Sequence, residues 1–320
     1  MTEVKIDTTQ TAQQLSIDEQ LKNKETELLY KQHDNNSNNE TVDKSQKFIE
    51  DASNHFEELN KKYNFKITEE GLGYKVINPE TKEEKETKKI TNEFEIIDVL
   101  SEFFCNEYYK KINMPTVENP EFSNGTEELN KTREERDVHG STHVYGVAQF
   151  VTKMLNQLKF NTNPQLTLKD KIITIVCAFM HDSCRKGEGV DFWDNDSAIL
   201  ATKVLKIFGL DSEEDKKYLM EVMKYVGDKD ASVEHGDFKS DKKGNWEITK
   251  EDLDNPDNTF KNKAKIIATL VDLGDTEEVF RVRNNFDIDF FLSKTDKIGL
   301  SIKDYVNEKG EINKNKKKAK

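Results

Sequence analysis

The chain has 320 residues, of which 35% are charged and 34% hydrophobic, and its formal net charge is −13. This acidic balance argues against the broad phosphate-binding surface that nucleic-acid proteins carry. No stretch approaches the ~20 apolar residues of a membrane-spanning helix, and the first residues lack the apolar core of a signal peptide. The three cysteines have no zinc-like spacing and fit a reducing compartment. The sequence therefore predicts a cytoplasmic protein without a transmembrane segment.

Both ends of the chain are polar and are predicted to be disordered. Residues 1–45 contain few large apolar side chains, and HDNNSNNETVDKS is close to low complexity. Residues 306–320 form a basic, Lys-rich tail. Residues 46–89 are predicted to form a polar helix followed by a β-hairpin. The hairpin is expected because FKITEEGLGYKVIN alternates apolar and polar residues on both sides of Gly71-Leu72-Gly73.

Residues 90–305 have helical periodicity and predict an all-α bundle. STHVYGVAQFVTKMLNQLKF carries an apolar stripe along one face, and TLKDKIITIVCAFMHD is apolar on nearly all sides. The second segment should therefore be the central buried helix. DFWDNDSAILATKVLKIFGL predicts a buried Trp193, a helix capped by Asp194 or Asp196, and a helix end at Gly209.

Histidine and aspartate recur at key positions of these predicted helices. His139 and His143 are four residues apart, so one helix face would present both. His181-Asp182 ends the central helix, and Asp272 interrupts an apolar helical run. A buried carboxylate needs a cation, and imidazoles and carboxylates together satisfy a divalent metal ion. The sequence predicts such an ion bound by His143, His181, Asp182 and Asp272.

This order of motifs resembles the HD superfamily of metal-dependent phosphohydrolases over residues 139–283. The resemblance implies an HD-domain-like helical bundle, the same four metal ligands, and an ion that could be Mn, Mg, Fe or Zn. HGSTHVYGV is also similar to the His-x-x-x-His segment of helical cyclic-nucleotide phosphodiesterases. That similarity implies that His139 protonates the leaving oxygen. Those enzymes carry a further His at a second metal position, where this chain has Arg185; we therefore expect one metal and an arginine that holds phosphate.

The chain also resembles the phosphodiesterase domain of the SidE effectors of Legionella. The shared features are the His-Gly-x-x-His segment at His139 and Arg-x-x-Glu at Arg185 and Glu188. This second resemblance implies a metal-free mechanism in which His139 is the nucleophile, acting on protein linked through phosphoribosyl or ADP-ribosyl groups, such as a ubiquitin-type substrate. It also implies delivery to a host cell as a bacterial effector. The family has a later His-Asp pair where this chain reads Val271-Asp272.

The sequence thus predicts hydrolysis of a phosphomonoester or phosphodiester in a nucleotide or a nucleotide-modified protein. Asp182 or Glu188 would help to deprotonate the attacking water, and Arg185, Trp193 and His235 would contact substrate. Structural explanations stay open for each residue: His139 as a helix cap, His143 as a hydrogen-bonded core histidine, His181-Asp182 as a helix C-terminus, and Asp272 in an ion pair. A non-catalytic binding module on the same fold is the third alternative.

Overall fold

The structure is a computed structural model, and it describes residues 15–32, 39–77, 84–109, 139–157, 166–185, 193–229 and 259–280. The helices are α1 (Ile17–Gln32), α2 (Asn39–Tyr63), α3 (Glu93–Ser101), a π-helix (Glu102–Tyr109), α4 (Ser141–Gln157), α5 (Leu168–Met180), α6 (Asp194–Ile207), α7 (Glu213–Gly227) and α8 (Thr259–Phe280). The strands are β1 (Lys66–Thr68), β2 (Gly71–Ile77) and β3 (Glu84–Ile90), which form one small sheet. The fold class is therefore all-α, as predicted. Within these ranges no helix is long and apolar enough to cross a membrane.

Helix α5 is the centre of the bundle. Its N-terminus is closed by a capping box in which Thr167 and Asp170 exchange side-chain and backbone hydrogen bonds. Every residue from 172 to 180 is buried, and the helix packs against α3, α4, α6 and α8. This confirms the central buried helix that the all-round apolar pattern predicted. Because α5 has neighbours on every side, the residues that directly follow its last turn, His181 and Asp182, lie in the interior of the bundle.

Helix α1 lies where the sequence predicted a disordered N-terminus. Leu21, Leu28 and Leu29 are buried on one face and pack against α6 and α7. On its polar face, Lys31 pairs with Asp228 at 2.7 Å. The low apolar content of residues 1–45 is an average, and it conceals this stripe of leucines. Such a stripe stabilises a helix once partner helices cover it.

Helix α6 is capped by a residue from elsewhere in the chain rather than by its own aspartates. Its N-cap residue is Trp193, which makes no capping bond, and Asp196 lies inside the first turn. The side-chain oxygen of Gln32, the last residue of α1, accepts hydrogen bonds from the backbone N–H groups of Asn195 and Asp196. These are two of the donors that a helix N-terminus leaves unsatisfied. At the other end Gly209 adopts φ +95°, which confirms the predicted stop.

The sheet contains the predicted hairpin and one strand that was not predicted. The β1–β2 turn lies at 69–70, just before the glycines on which the prediction centred. β3 pairs antiparallel with β2 and forms the other edge. Gly71 has φ +135°, and a Cβ there would lie 2.3 Å from the Ile90 carbonyl oxygen. Only glycine fits this position, because β3 passes directly over it.

Candidate active site

Three helices bring a cluster of histidine and aspartate side chains together inside the bundle. His139 and His143 come from the start of α4, His181 and Asp182 follow the last turn of α5, and Asp275 comes from α8. The His143, His181 and Asp182 side chains are each at most 1% exposed. The cluster forms because α4 and α8 both pack on α5, so their polar residues meet where the apolar run of α5 ends.

The centre of the cluster is a pair of imidazole nitrogens that face one another. The Nε2 atoms of His143 and His181 are 3.2 Å apart. Asp182 Oδ2 lies 3.4 Å from each of them. Asp275 Oδ1 lies 3.1 Å from His143 Nε2 and 3.6 Å from His181 Nε2. Two carboxylate oxygens and two ring nitrogens from three helices thus converge on one small volume.

The backbone sets the tautomer of His181. Its Nδ1 lies 2.7 Å from the carbonyl oxygen of Ala178. Because a carbonyl can only accept, Nδ1 carries a hydrogen and donates it. In the neutral ring Nε2 then presents a lone pair toward His143. This is the arrangement by which proteins prepare a histidine to ligate a metal through Nε2.

His139 belongs to the same cluster through Asp182. Its Nδ1 lies 3.0 Å from Asp182 Oδ2, and its ring meets that of His143 edge-on at 5.3 Å between centroids. The same Asp182 oxygen therefore contacts three imidazoles, while Oδ1 lies 3.5 Å from the Arg185 guanidinium. A carboxylate held on Nδ1 orients a histidine and leaves Nε2 for proton transfer or attack.

The structure brings Asp275, rather than Asp272, to His143 and His181. Asp272 is buried on the preceding turn of α8 and is in neither of the two described groups that could hold a metal ion. Gly274, beside Asp275, packs against α4, and a Cβ there would lie 2.7 Å from Val151. The two helices lie close together at this glycine, and Asp275 reaches the cluster. The pair Gly274-Asp275 was the sequence signal for a close helix contact beside an acidic residue, and an interpretation based on apolar periodicity alone missed it.

The remaining predicted site residues have different outcomes. Arg185 is buried and faces Asp182, in reach of the cluster. Trp193 is half-buried and starts α6. Glu188 and His235 lie outside the described residues, so their predicted roles stay predictions. Cys177 and Cys184 are buried thiols outside any disulfide. Burial raises the pKa of Cys177 to about 12, which makes a nucleophilic role unfavourable.

The four central groups perturb one another's pKa values in the ion-free protein. Burial works to lower the pKa values of His143 and His181, but Asp182 and Asp275 outweigh it, so that both are raised. Burial works to raise the pKa values of the two aspartates, but the neighbouring histidines, together with Arg185 for Asp182, hold them well below the usual range. Without an ion, protonated imidazoles balance the buried carboxylates.

These shifts predict how the stability of the ion-free protein depends on pH. The two aspartates contribute fully to the free energy of unfolding above about pH 3.9, and their contribution is lost as pH falls through their lowered pKa values in the folded protein. The two histidines contribute fully below about pH 6.5, and their contribution is lost as pH rises through their raised pKa values. We expect urea unfolding of chelator-treated protein to show declining stability above neutral pH. A saturating divalent ion should remove that decline, because it replaces the protons. An identical decline with and without the ion would contradict the cluster's role.

Comparison with known proteins assigns the chain to a family. A family model described as the SidE phosphodiesterase (PDE) domain matches residues 106–319. The chain belongs to the SidE phosphodiesterase domain family. No curated protein and no solved structure shows a significant match. The SidE domain match starts inside the π-helix and includes all five residues of the cluster, and it supports a phosphodiesterase that acts on a phosphate-linked substrate.

Proposed function

We propose that this SidE-type domain hydrolyses a phosphodiester bond at the His-Asp cluster, with one divalent metal ion held by His143, His181, Asp182 and Asp275. The observation that carries the proposal is the 3.2 Å approach of two histidine Nε2 atoms between two carboxylates. The order of these ligands along the chain is the order implied by the HD-superfamily resemblance, with Asp275 in the place where Asp272 was predicted. The proposed substrate is a nucleotide or a protein modified by a nucleotide. We also propose that this protein is a bacterial effector that is delivered to a host cell.

The donor set fits a divalent ion. Ligands of a tetrahedral ion bound at about 2.0–2.1 Å lie about 3.3–3.4 Å from one another. The distance between the two histidine nitrogens and the four distances from these nitrogens to the carboxylate oxygens run from 3.1 to 3.6 Å. Two imidazoles with two carboxylates suit Zn, Fe or Mn better than Mg, which prefers oxygen ligands alone. When bound, such an ion lowers the pKa of a water and polarises a phosphoryl oxygen.

The chain's own residues supply the proton transfers and hold the phosphate. Hydrolysis forms a bond from the water oxygen to phosphorus and breaks the bond to the leaving oxygen, which takes a proton. His139 is the proposed donor of that proton from Nε2, because Asp182 holds its Nδ1. Arg185, beside Asp182, would bind a phosphate oxygen. Glu188 stays a candidate base for the water, and Trp193 and His235 stay candidate substrate contacts.

A second mechanism needs no metal, and the SidE family membership favours it. His139 Nε2 would attack phosphorus directly, forming a P–N bond as the ester P–O bond breaks, and water would then hydrolyse the phosphohistidine. The 3.0 Å contact between His139 and Asp182 serves this role equally well, since it orients and activates the ring. The chain has no counterpart at Val271-Asp272 of the family's later histidine.

Chelation separates the two mechanisms. The full chain is dialysed against EDTA and assayed with bis(4-nitrophenyl) phosphate, and its metal content is measured by elemental analysis. We expect activity to be lost and then restored by Mn²⁺ or Zn²⁺. Full turnover in EDTA without bound metal would reject the metal mechanism and favour the covalent one, which ³²P-labelled phosphohistidine on a quenched sample would then identify. Ion binding without turnover of any phosphodiester probe would instead support the binding-module alternative.

A further inference from the structure

The turn that carries His181 and Asp182 has carbonyl groups that need hydrogen-bond donors. The last carbonyls of a helix have no partner within it, and burial makes an unpaired carbonyl costly. Two of these carbonyls are satisfied locally, Ala178 by the His181 ring and Met180 by the Ser183 N–H. The carbonyls of Phe179 and Ser183 receive donors from outside the turn.

Both of those donors come from the π-helix. Tyr109 donates its hydroxyl hydrogen to the Phe179 carbonyl at 2.7 Å, and Tyr108 donates to the Ser183 carbonyl at 2.8 Å. Both tyrosines are at most 2% exposed. The π-helix also touches the other half of the site, because Cys105 Sγ lies 3.5 Å from the Ser141 carbonyl oxygen between His139 and His143. One segment therefore contacts both chain segments that supply the imidazoles.

Aromatic packing fixes the π-helix against the N-terminal part of the chain. The ring centroids of Tyr108 and Phe56 of α2 are 4.6 Å apart, and those of Phe56 and Phe103 are 5.6 Å apart. Phe104 stacks on Phe179 of α5 at 5.2 Å. Phe56, Phe103 and Phe104 precede the matched family region, which begins at residue 106. π-helical turns are rare and are frequently found at functional sites.

We infer that Tyr108 is a positioning residue for the active site, and that Phe56, Phe103 and Phe104 belong to the catalytic unit because their rings hold this tyrosine in place. The Tyr108 hydroxyl fixes the Ser183 carbonyl and so sets the direction of the His181 and Asp182 side chains. This inference rests on the proposed function of the cluster. It extends that function to a residue that acts through the backbone of the turn.

The test compares Tyr108→Phe with Tyr218→Phe in the full chain. Tyr218 is also buried, and its hydroxyl donates to Asp170 at 2.9 Å at the opposite end of α5. Both variants lose one buried hydroxyl, so we expect similar losses of thermal stability. We expect only Tyr108→Phe to lower kcat, by about ten- to a hundredfold, with KM little changed. Equal kcat values for the two variants would overturn the inference.

A readout independent of activity separates this inference from the proposed function. In ion-free protein labelled with ¹⁵N-histidine, we expect Tyr108→Phe to shift the ring-nitrogen signals of His143 and His181, and Tyr218→Phe to leave them in place. Unshifted signals in Tyr108→Phe would reject the positioning role even if the enzyme is active. A wild-type chain that hydrolyses no phosphodiester probe would reject the proposed function, whereas shifted histidine signals would still support the geometric part of the inference.

Discussion

Replacing His139 with alanine is expected to lower kcat for phosphodiester hydrolysis by about 10²–10⁴-fold, the range that a positioned general acid supplies. His139 contacts Asp182 through Nδ1, and its Nε2 is the proposed donor of the proton to the leaving oxygen. The measurement is steady-state turnover of the full chain with saturating Mn²⁺ or Zn²⁺. Lys217→Ala, which truncates an exposed side chain of α7, is the control and should keep its kcat.

The leaving group reveals which role His139 plays. A 4-nitrophenolate leaves without needing a proton, whereas an alkyl alcohol requires one. If His139 is the general acid, His139→Ala should lose far more activity on a diester with an alkyl leaving group than on bis(4-nitrophenyl) phosphate. If it is the nucleophile, both substrates should lose activity alike, because the first bond to phosphorus no longer forms. Unchanged turnover on both substrates would remove His139 from either mechanism.

Replacing Asp275 with asparagine is expected to weaken binding of the divalent ion by about a hundredfold or more, since the ligand loses its charge. Asp272→Asn is the matched comparison, because the two aspartates lie three positions apart on α8 and the substitution is isosteric in both. Asp275 lies 3.1 Å from His143 Nε2, and Asp272 lies in neither described group of metal-ligand candidates. We therefore expect Asp272→Asn to lose much less affinity.

Titration calorimetry with Zn²⁺ or Mn²⁺ on chelator-treated protein measures both variants, and circular dichroism checks that each is folded. A larger loss of affinity in Asp272→Asn would return the fourth ligand to the residue that the sequence favoured. Equal and small losses in both variants would leave the cluster without an acidic ligand from α8. That result would weaken the metal mechanism and favour the covalent one.

Side chains from two other segments hold the turn that carries His181 and Asp182, and this bears on how variants should be interpreted. Tyr108 and Tyr109 hold its carbonyls, and the Ser197 hydroxyl accepts from the Cys184 N–H at 3.0 Å. Ser197 lies in the first turn of α6, whose N-terminus is capped by Gln32. Substitutions in α1, α6 or the π-helix can therefore change activity without touching the substrate.

The sequence was informative wherever local periodicity carries the signal. Helix α5 was predicted because every position of its last turns is apolar, and its end at His181 followed from the abrupt change to polar residues. The chain order of His143, His181 and Asp182 indicated a shared site, and the three side chains do meet. Local regularity reflects contacts between residues three or four positions apart, which a sequence displays directly.

Other features depended on partners distant in the chain. Helix α1 is stabilised by surfaces of α6 and α7 more than 160 residues away, and its Gln32 replaces the cap that Asp194 or Asp196 was expected to provide. The low average hydrophobicity of the segment could not reveal helix α1, because three leucines on one face are enough to stabilise a helix once partner helices cover them. The π-helix continued an apparently regular helical pattern, so its different hydrogen bonding left no mark in the sequence.

The sequence by itself determined the helical class and the central helix, because both depend on short-range pattern, and the order of its motifs named three of the four residues that are now proposed as metal ligands. Only the tertiary structure decided between Asp272 and Asp275. Both acids lie on α8, and which of them meets His143 depends on how that helix is rotated and how closely it approaches α4. Where these helices pack, a Cβ on Gly274 would lie 2.7 Å from Val151 of α4, and the two residues are more than 120 positions apart, so no short-range pattern shows their approach.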